Sequence, residues 1–560
     1  MKLLILLLVT LLSLHAALPS DTQLQKMVGR MLIVGFPSSK IDANSQIVHD
    51  IQQYDLGGVI LFDRFYNDKK RVKNILSAYQ LKRLTQHLKY FSKKPLFIAV
   101  DQEGGKVARL NPKYGFVKIP SAHTISKMPL KKAKKIYDTQ AQMLENTGIN
   151  VNFAPVVDLT LNQNNKVIVG LGRSYGSDPK RVAEYAQTMI DAQTRHNIIS
   201  VLKHFPGHGS SLGDSHEGFV DISNTWSQKE LEPYKILINA QKADAIMTAH
   251  VFNSHLDNKY PATLSYKINT KLLRNKMHFR GVIISDDMQM KAISANYSLK
   301  NAVTLAINSG VDILLFGNQL SHNSTKDIVD TIVKQVKNKK IPLERIIESN
   351  RRITALHVKS TIVQKPIIFQ KERKEMTKAY IKKHYGLTVK NIKIKPKIIV
   401  LHWTAVMNLN DSFARLNPQK LLTDRKDIAK ASALNVSAHY LIDRDGTIYQ
   451  LMPDNMMARH VIGLNYSSIG IENVGGEANK NEDLTPAQVR SNIALVKYLK
   501  QKYPEITYLI GHYEYTKIQK NPLWLERDVN YRTKKADPGT KFMHKVRQGV
   551  KNLHLKGADE

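Results

Sequence analysis

Two stretches of the chain gather residues able to move protons or attack carbon. In KHFPGHGSSLGDSH, residues 203–216, Asp214 stands two positions before His216 on a Gly-rich loop. A histidine of near-neutral pKa, oriented by a carboxylate, is a general acid/base that can protonate a leaving oxygen. The glycines let such a loop bend over a ligand. In GVIISDDMQM, Asp286 follows a run of branched apolar residues. Packing has no use for a carboxylate there, but a carboxylate so placed can attack a sugar's anomeric carbon. Asp287 beside it reads as structural. VDQEGGKVARL adds Asp101 and, eight residues on, Arg109, an acceptor and a forked donor suited to sugar hydroxyls. Glu103 is a fallback acid ranked behind His216, and His208 and His250 read as satisfied loop or core histidines. A separate trio lies near the C-terminus: His402 ends IIVLH, His512 ends YLIGH, and Asp537 sits in KKADPGTKF. Two histidines and a carboxylate, with water in the fourth position, have the composition of a catalytic zinc set. The chain has no cysteine, so any zinc site must use histidine and carboxylate.

These residues need strands to aim them. LGGVILF, LFIAVDQ, INVNFAPVVDL, IISVLKHF, DAIMTAH, GVIISDD and VDILLFG read as buried parallel strands, separated by amphipathic segments such as KKAKKIYDTQAQMLENTG. Repeated β-then-α units over residues 20–360 predict an α/β fold of the (β/α)8 TIM-type barrel, with a doubly wound open sheet as the alternative. Asp101, Asp158, His204, His250 and Asp286 then fall at C-terminal strand ends, the face on which barrels build their sites. Residues 361–395 are Lys-rich and partly helical, and read as a basic linker with a lead-in helix. Over residues 396–555, KIIVLHWTA, SAHYLIDRDGTIYQLM and SSIGIENVGG give strands, one pair joined by an RDG turn. TPAQVRSNIALVKYLKQKYP, opened by a Thr cap, gives a covering helix. This predicts a smaller α/β domain with a mixed central sheet.

Composition bounds the partners. The 560 residues suffice for two or three cores. Lys and Arg number 83 against 47 Asp and Glu, a formal charge of +36, which favours anionic partners such as nucleic acid, acidic lipid or wall polymer. No basic helix with interleaved aromatics and no nucleic-acid signature is visible, so nucleic acid is not expected as a partner. The start, MKLLILLLVTLLSLHAALPS, reads as a cleaved secretory leader over residues 1–17. It predicts an exported, periplasmic or otherwise extracytoplasmic protein with no transmembrane segment in the mature chain. The absence of cysteine excludes a lipoprotein anchor and disulfides.

Taken in order, DQEGG, GRSYGSDP, KHFPGHG, DSH and FRGVIISDDM resemble the glycoside hydrolase family 3 β-N-acetylglucosaminidases of peptidoglycan recycling, over about residues 22–355. The resemblance implies Asp286 as nucleophile, His216 as acid/base aided by Asp214, and Asp101, Arg109, Arg173, Lys203 and His204 as the residues holding N-acetylglucosamine. A histidine acid/base departs from the usual two-carboxylate template, as this subgroup does. LHWTA, VSAHYLIDRDGTIYQL, SIGIENVGG, IGHYEY and DPGTKF resemble the zinc-dependent N-acetylmuramoyl-L-alanine amidases, the class shared with phage amidases and peptidoglycan recognition proteins, over about residues 376–550. That implies Zn²⁺ on His402, His512 and Asp537, Glu472 as general base, Lys535 as oxyanion stabiliser, and His460 as the match to a histidine near the substrate or in a structural role. The 513–536 stretch departs from the short gap of simpler members, and its aromatics read as packing. The two resemblances name one substrate class, GlcNAc-MurNAc or GlcNAc-anhydroMurNAc peptides. Rival readings are an amidase-like domain that only binds peptidoglycan, and a basic scaffold with degenerate motifs. Retention of the zinc trio with Glu472 argues against the first, and of Asp286 with His216 against the second.

Overall fold

The structure is a computed structural model describing residues 19–560 apart from His216. The leader expected at 1–17 lies outside the described residues. The strands Leu32–Gly35, Gly58–Ile60, Phe97–Val100, Val151–Asn152, Ile199–Phe205, Ala245–Thr248, Val282–Asp287 and Ile313–Phe316 pair in parallel in chain order, and the last closes on the first. This is the (β/α)8 barrel expected from the repeated units. All seven residues of Ile199–Phe205 are buried, because a barrel strand has packed side chains inside and helices outside. The outer helices start where the sequence supplies caps. Ser77, Asp178, Ser298 and Ser324 each accept a hydrogen bond from a first-turn N–H.

The helix Leu343–Thr361 runs across the N-terminal end of the barrel as a floor. Its Arg352 holds Asp312 at 3.0 Å, and its Asn350 Nδ2 donates to the Met27 carbonyl at 2.9 Å. Farther on, His357 stacks on Phe97 with ring centroids 3.6 Å apart, and Lys359 pairs with Asp244. Three of these partners immediately precede or begin barrel strands, and Met27 lies in the helix before the first, so the helix touches four points of the rim. Its opposite face carries Ala355, which with Ile362 just beyond the helix joins the second domain's core beside Leu495, Val496 and Leu499.

That domain has a six-stranded mixed sheet in the order Val363–Gln364, Ile448–Gln450, Tyr440–Ile442, Ser468–Asn473, Ile398–Leu401, Tyr508–Gly511. The hairpin through the RDG turn is its antiparallel pair, and its other pairings are parallel. Thr485 opens the helix Pro486–Lys502 with a capping box. Residues 361–395, read from their lysines as a linker, are folded into this domain. Val363–Gln364 is the sheet's edge strand, while Tyr380, Ile381, Tyr385, Ile392 and Ile394 form a small core under outward-facing lysines. The lysines hid that apolar stripe. Among the described residues no helix is long and apolar enough to cross a membrane.

Candidate active sites

Asp286 stands at the C-terminal end of its strand, after Val282, Ile283 and Ile284 have filled the barrel wall. Its Oδ1 accepts the Asp287 N–H at 2.8 Å, which orients the carboxylate. Asp287 accepts the Gln289 N–H at 3.0 Å and faces the buried Lys73, whose pKa burial lowers to about 8 against the pull of that carboxylate.

A line of charged groups crosses the barrel mouth. Arg109 lies 3.5 Å from Asp101, and Asp101 accepts from Lys203 Nζ at 2.8 Å. Lys203 also reaches Glu103 at 2.7 Å, and Glu103 receives Arg173 Nε and NH2, both at 2.8 Å. Arg173 NH2 is 3.1 Å from His204 Nε2, and His204 Nδ1 is 2.7 Å from Asp158 Oδ2. Arginine can only donate, so His204 accepts on Nε2 and keeps its proton on Nδ1, against Asp158. Burial alone would raise the Glu103 pKa, but Arg173 and Lys203 outweigh it and bring the group down to about 2. An acid so strong has no proton to give near neutrality. Glu103 therefore fails as the fallback acid and serves to align Arg173 and Lys203. Its place two residues after Asp101 in DQEGG was the available signal, since alternate residues of an extended chain share a side.

The loop that should carry the acid/base is anchored at its root. Asp158 Oδ1 accepts the His208 N–H at 2.9 Å, Glu230 Oε1 accepts the Ser210 N–H at 2.9 Å, and Asn165 Nδ2 donates to the His208 carbonyl at 2.8 Å. A Cβ on Gly209 would come 1.7 Å from the Leu159 carbonyl oxygen, so only glycine fits. Burial, then the neighbouring His204, lowers the His208 pKa to about 4. That makes it a neutral loop imidazole bonded to Ser211 Oγ at 2.6 Å. His250 likewise meets Thr263 Oγ1 at 2.8 Å and the Asp287 carbonyl at 2.9 Å. Past Ser211, Leu212 is 64% exposed and Asp214 is half-buried. The Ser215 carbonyl accepts the Ala292 N–H at 3.3 Å, so the loop crosses to the segment that follows Asp286. His216 lies outside the described residues. Glu230 is the group that sequence reasoning passed over: it is fully buried, and burial followed by the Asp158 charge raises its pKa to about 8. Nothing in WSQKELEPY marks it.

In the second domain, His402 and His512 leave the ends of Ile398–Leu401 and Tyr508–Gly511, and Asp537 arrives from the loop before Thr540–Gly549. Each offers a ligand atom within 4.8 Å of the others. The two Nδ1 atoms are 3.0 Å apart, and Asp537 Oδ2 is 2.9 Å from that of His512 and 3.3 Å from that of His402. A tetrahedral ion bound at about 2.0 Å spaces its donors about 3.3 Å apart, so this triangle fits one face of such a site. Burial and His512 lower the His402 pKa to about 4, which leaves a neutral imidazole. Burial would raise Asp537, but His512 and His402 hold it far below the usual carboxylate range. The trio opens into a cavity of about 500 Å³ lined also by Glu472, Lys535, Arg425, Trp403 and Tyr531. Glu472 Oε2 is buried with no hydrogen-bond partner among the described residues, and burial followed by Asp537 raises its pKa well above the usual value, against Lys535 and Arg425. The 513–536 stretch packs, as its aromatics suggested: Trp524 stacks on Tyr515, Arg532 lies 4.7 Å over Trp524, and Glu526 bonds His384 at 3.0 Å. It also lends Tyr531 and Thr533 to the cavity wall.

Residues 23–356 match the glycosyl hydrolase family 3 N terminal domain. The chain belongs to glycosyl hydrolase family 3. Residues 393–540 match the N-acetylmuramoyl-L-alanine amidase family. The family 3 chain is 32% identical over 352 residues to a beta-hexosaminidase of Actinobacillus pleuropneumoniae serotype 5b, a match covering 58% of this chain and 96% of that protein. It is 33% identical over 332 residues to beta-hexosaminidase A of Pseudoalteromonas piscicida, covering 55% of this chain and 54% of that protein, so the match spans about half of the relative's length. Among solved structures, the beta-N-acetylhexosaminidase of Beutenbergia cavernae superposes with a TM-score of 0.54 at 25% identity, over 60% of this chain and 99% of that one.

Within the family 3 barrel, Asp101, Arg109, Arg173, Lys203 and His204 form one connected network at the mouth, with Asp286 on the same end and Asp214 on the loop nearby. In the second domain, His402, His512, Asp537, Glu472 and Lys535 share one cavity. His460 lines it too, behind His402.

Proposed function

We propose that the chain is a bifunctional peptidoglycan hydrolase. The reading rests above all on the His402, His512 and Asp537 triangle opening beside Glu472, in a domain joined to a family 3 barrel. The hexosaminidase names of the relatives and the amidase family of the second domain point to linkages on either side of one sugar, N-acetylmuramic acid.

In the barrel, Asp101, Arg109, Arg173, Lys203 and His204 grip a terminal β-linked N-acetylglucosamine, and Asp286 attacks C1 to form a glycosyl ester. His216, oriented by Asp214, gives a proton to the leaving oxygen and then takes one from the water that hydrolyses the ester, so configuration is retained.

In the second domain, His402, His512 and Asp537 would hold zinc through Nδ1, Nδ1 and a carboxylate oxygen. A zinc ion held there supplies Lewis acidity toward water and toward an amide carbonyl. Glu472, aimed into the same cavity, takes the proton of the attacking water and passes it to the departing amine, while the Lys535 ammonium balances the developing oxyanion. The bond broken joins the muramoyl lactyl group to L-alanine. The leader at 1–17 would deliver the enzyme outside the cytoplasm, where such fragments arise.

The test is mass spectrometry of muropeptides digested by purified protein, with and without a chelator. Expected are loss of N-acetylglucosamine in both conditions and loss of the peptide only without chelator. Metal-free protein with undiminished amide cleavage refutes the zinc assignment. Sugar release that needs metal refutes the division of labour.

A further inference from the structure

His460 lies behind the ligand triangle rather than in it, and a line of hydrogen bonds runs through it. The line ends on the Leu464 carbonyl, which can only accept. Ser468 Oγ, 2.8 Å away, therefore donates its single proton there. With that proton committed, Ser468 Oγ accepts from His460 Nε2 at 3.1 Å, so His460 carries its hydrogen on Nε2. Its Nδ1 is left as a lone pair, which accepts from His402 Nε2 at 3.1 Å. His402 is thereby protonated on Nε2, and its free lone pair falls on Nδ1. That is the atom facing His512 and Asp537.

The line is held rigidly. Asn465 Oδ1 accepts the N–H groups of both His460 and Val461 at 2.8 Å, and Asn465 Nδ2 donates to the Tyr385 hydroxyl at 3.0 Å. The His460 ring lies against Gly470, where a Cβ would approach it to 2.6 Å, so the sheet leaves space for the imidazole only because residue 470 is glycine. Ser468 and Gly470 belong to the same strand as Glu472, Ser468–Asn473.

We propose that His460 is a positioning residue which, anchored by Ser468, fixes the Nε2–H tautomer of His402 and so presents its Nδ1 to the metal. This rests on the zinc reading above and extends it beyond the ligands. Outer partners that orient a ligating histidine are worth about 10- to 100-fold in metal affinity.

The experiment uses the full-length chain and zinc itself. Wild type, His460→Leu, His460→Asn and Ser468→Ala are compared by competitive zinc titration, by the visible spectrum of the cobalt(II)-substituted protein, and by two-bond ¹H–¹⁵N spectra of the metal-free protein, which report the His402 tautomer. His460→Asn keeps an acceptor near the Nδ1 position, so its zinc affinity and its His402 tautomer should stay close to wild type. His460→Leu should weaken zinc by about 10- to 100-fold, alter the cobalt spectrum and give mixed His402 tautomers. Ser468→Ala removes only the anchor and should show the same changes to a smaller degree. It also decides the matter if His460→Leu fails to fold. A wild-type chain that takes up no zinc overturns the zinc reading itself. Zinc uptake by wild type, with affinity and His402 tautomer unchanged in the variants, overturns the positioning role alone.

Discussion

Two aspartates four barrel strands apart have different neighbours. Asp101 sits between two cations, whereas Asp286 is held by a backbone N–H at the end of an apolar strand. Asp286→Ala should reduce N-acetylglucosamine release to background while leaving amide cleavage intact, and full release would remove it as nucleophile. His216→Ala should cost about 10² to 10⁴ on a sugar leaving group, the usual worth of a general acid. It should cost far less on an aryl glycoside whose phenolate leaves unaided, and equal losses on both substrates would argue against an acid role. Glu103 gives a pH prediction. Its folded pKa of about 2 lies below the value of about 4.3 for an unfolded glutamate. Its contribution to stability is thus fully present above that unfolded value and is lost as pH falls toward 2. In calorimetry, Glu103→Gln should lower the melting temperature at pH 6, and its melting temperature should depend less on pH than wild type's between about pH 5 and pH 3.

The elements that matter most are the loop rooted at residues 206–211 and the strand ends beside it. The loop's path is set by Gly209 passing against the Leu159 carbonyl, and by Glu230 and Asp158 taking its N–H groups. Gly209→Ala cannot be absorbed by a side-chain shift, because the clash is with backbone. It should displace the loop, cut sugar release by at least ten-fold and leave zinc content and amide cleavage unchanged. Hexosaminidase kinetics at wild-type level in a folded Gly209→Ala protein would show that the loop root does not position the acid/base.

At the scale of the whole molecule, the second domain docks under the barrel. Tyr503 donates to Gln241 at 3.1 Å and Gln501 to the Arg280 carbonyl at 3.3 Å, both on turns entering barrel strands from below. The sugar site is at the other end of those strands, so the barrel and its floor helix separate the two sites. If both sites cut as proposed, a fragment released at one returns through solvent to reach the other. A mixture of Asp286→Ala and His512→Ala proteins should process a muropeptide as fast as wild type at equal concentrations of each working site, and the singly cut product should appear free. A wild-type rate well above the mixture's would mean direct transfer.

The sequence by itself determined what local pattern and residue chemistry can carry. Buried apolar runs at β/α spacing predicted a barrel ahead of a doubly wound open sheet, and carboxylates and histidines placed just past apolar runs marked strand ends as candidate sites, among them Asp101, Asp286, His402 and His512. The RDG turn and the Thr485 cap were equally legible, because each acts within a few residues. What the fold alone decided depends on contacts between distant segments. Glu103 is held as an anion at neutral pH only when Arg173 and Lys203 arrive from other parts of the chain, and Glu230 becomes a loop anchor only under Ser210. Residues 361–395 look like a solvated linker until their alternating apolar side chains find the second sheet and the 513–536 stretch. Which nitrogen of His402 is left bare is set by a carbonyl 62 residues away, reached through Ser468 and His460, because a proton's place depends on what lies at hydrogen-bonding distance and not on what is adjacent in sequence.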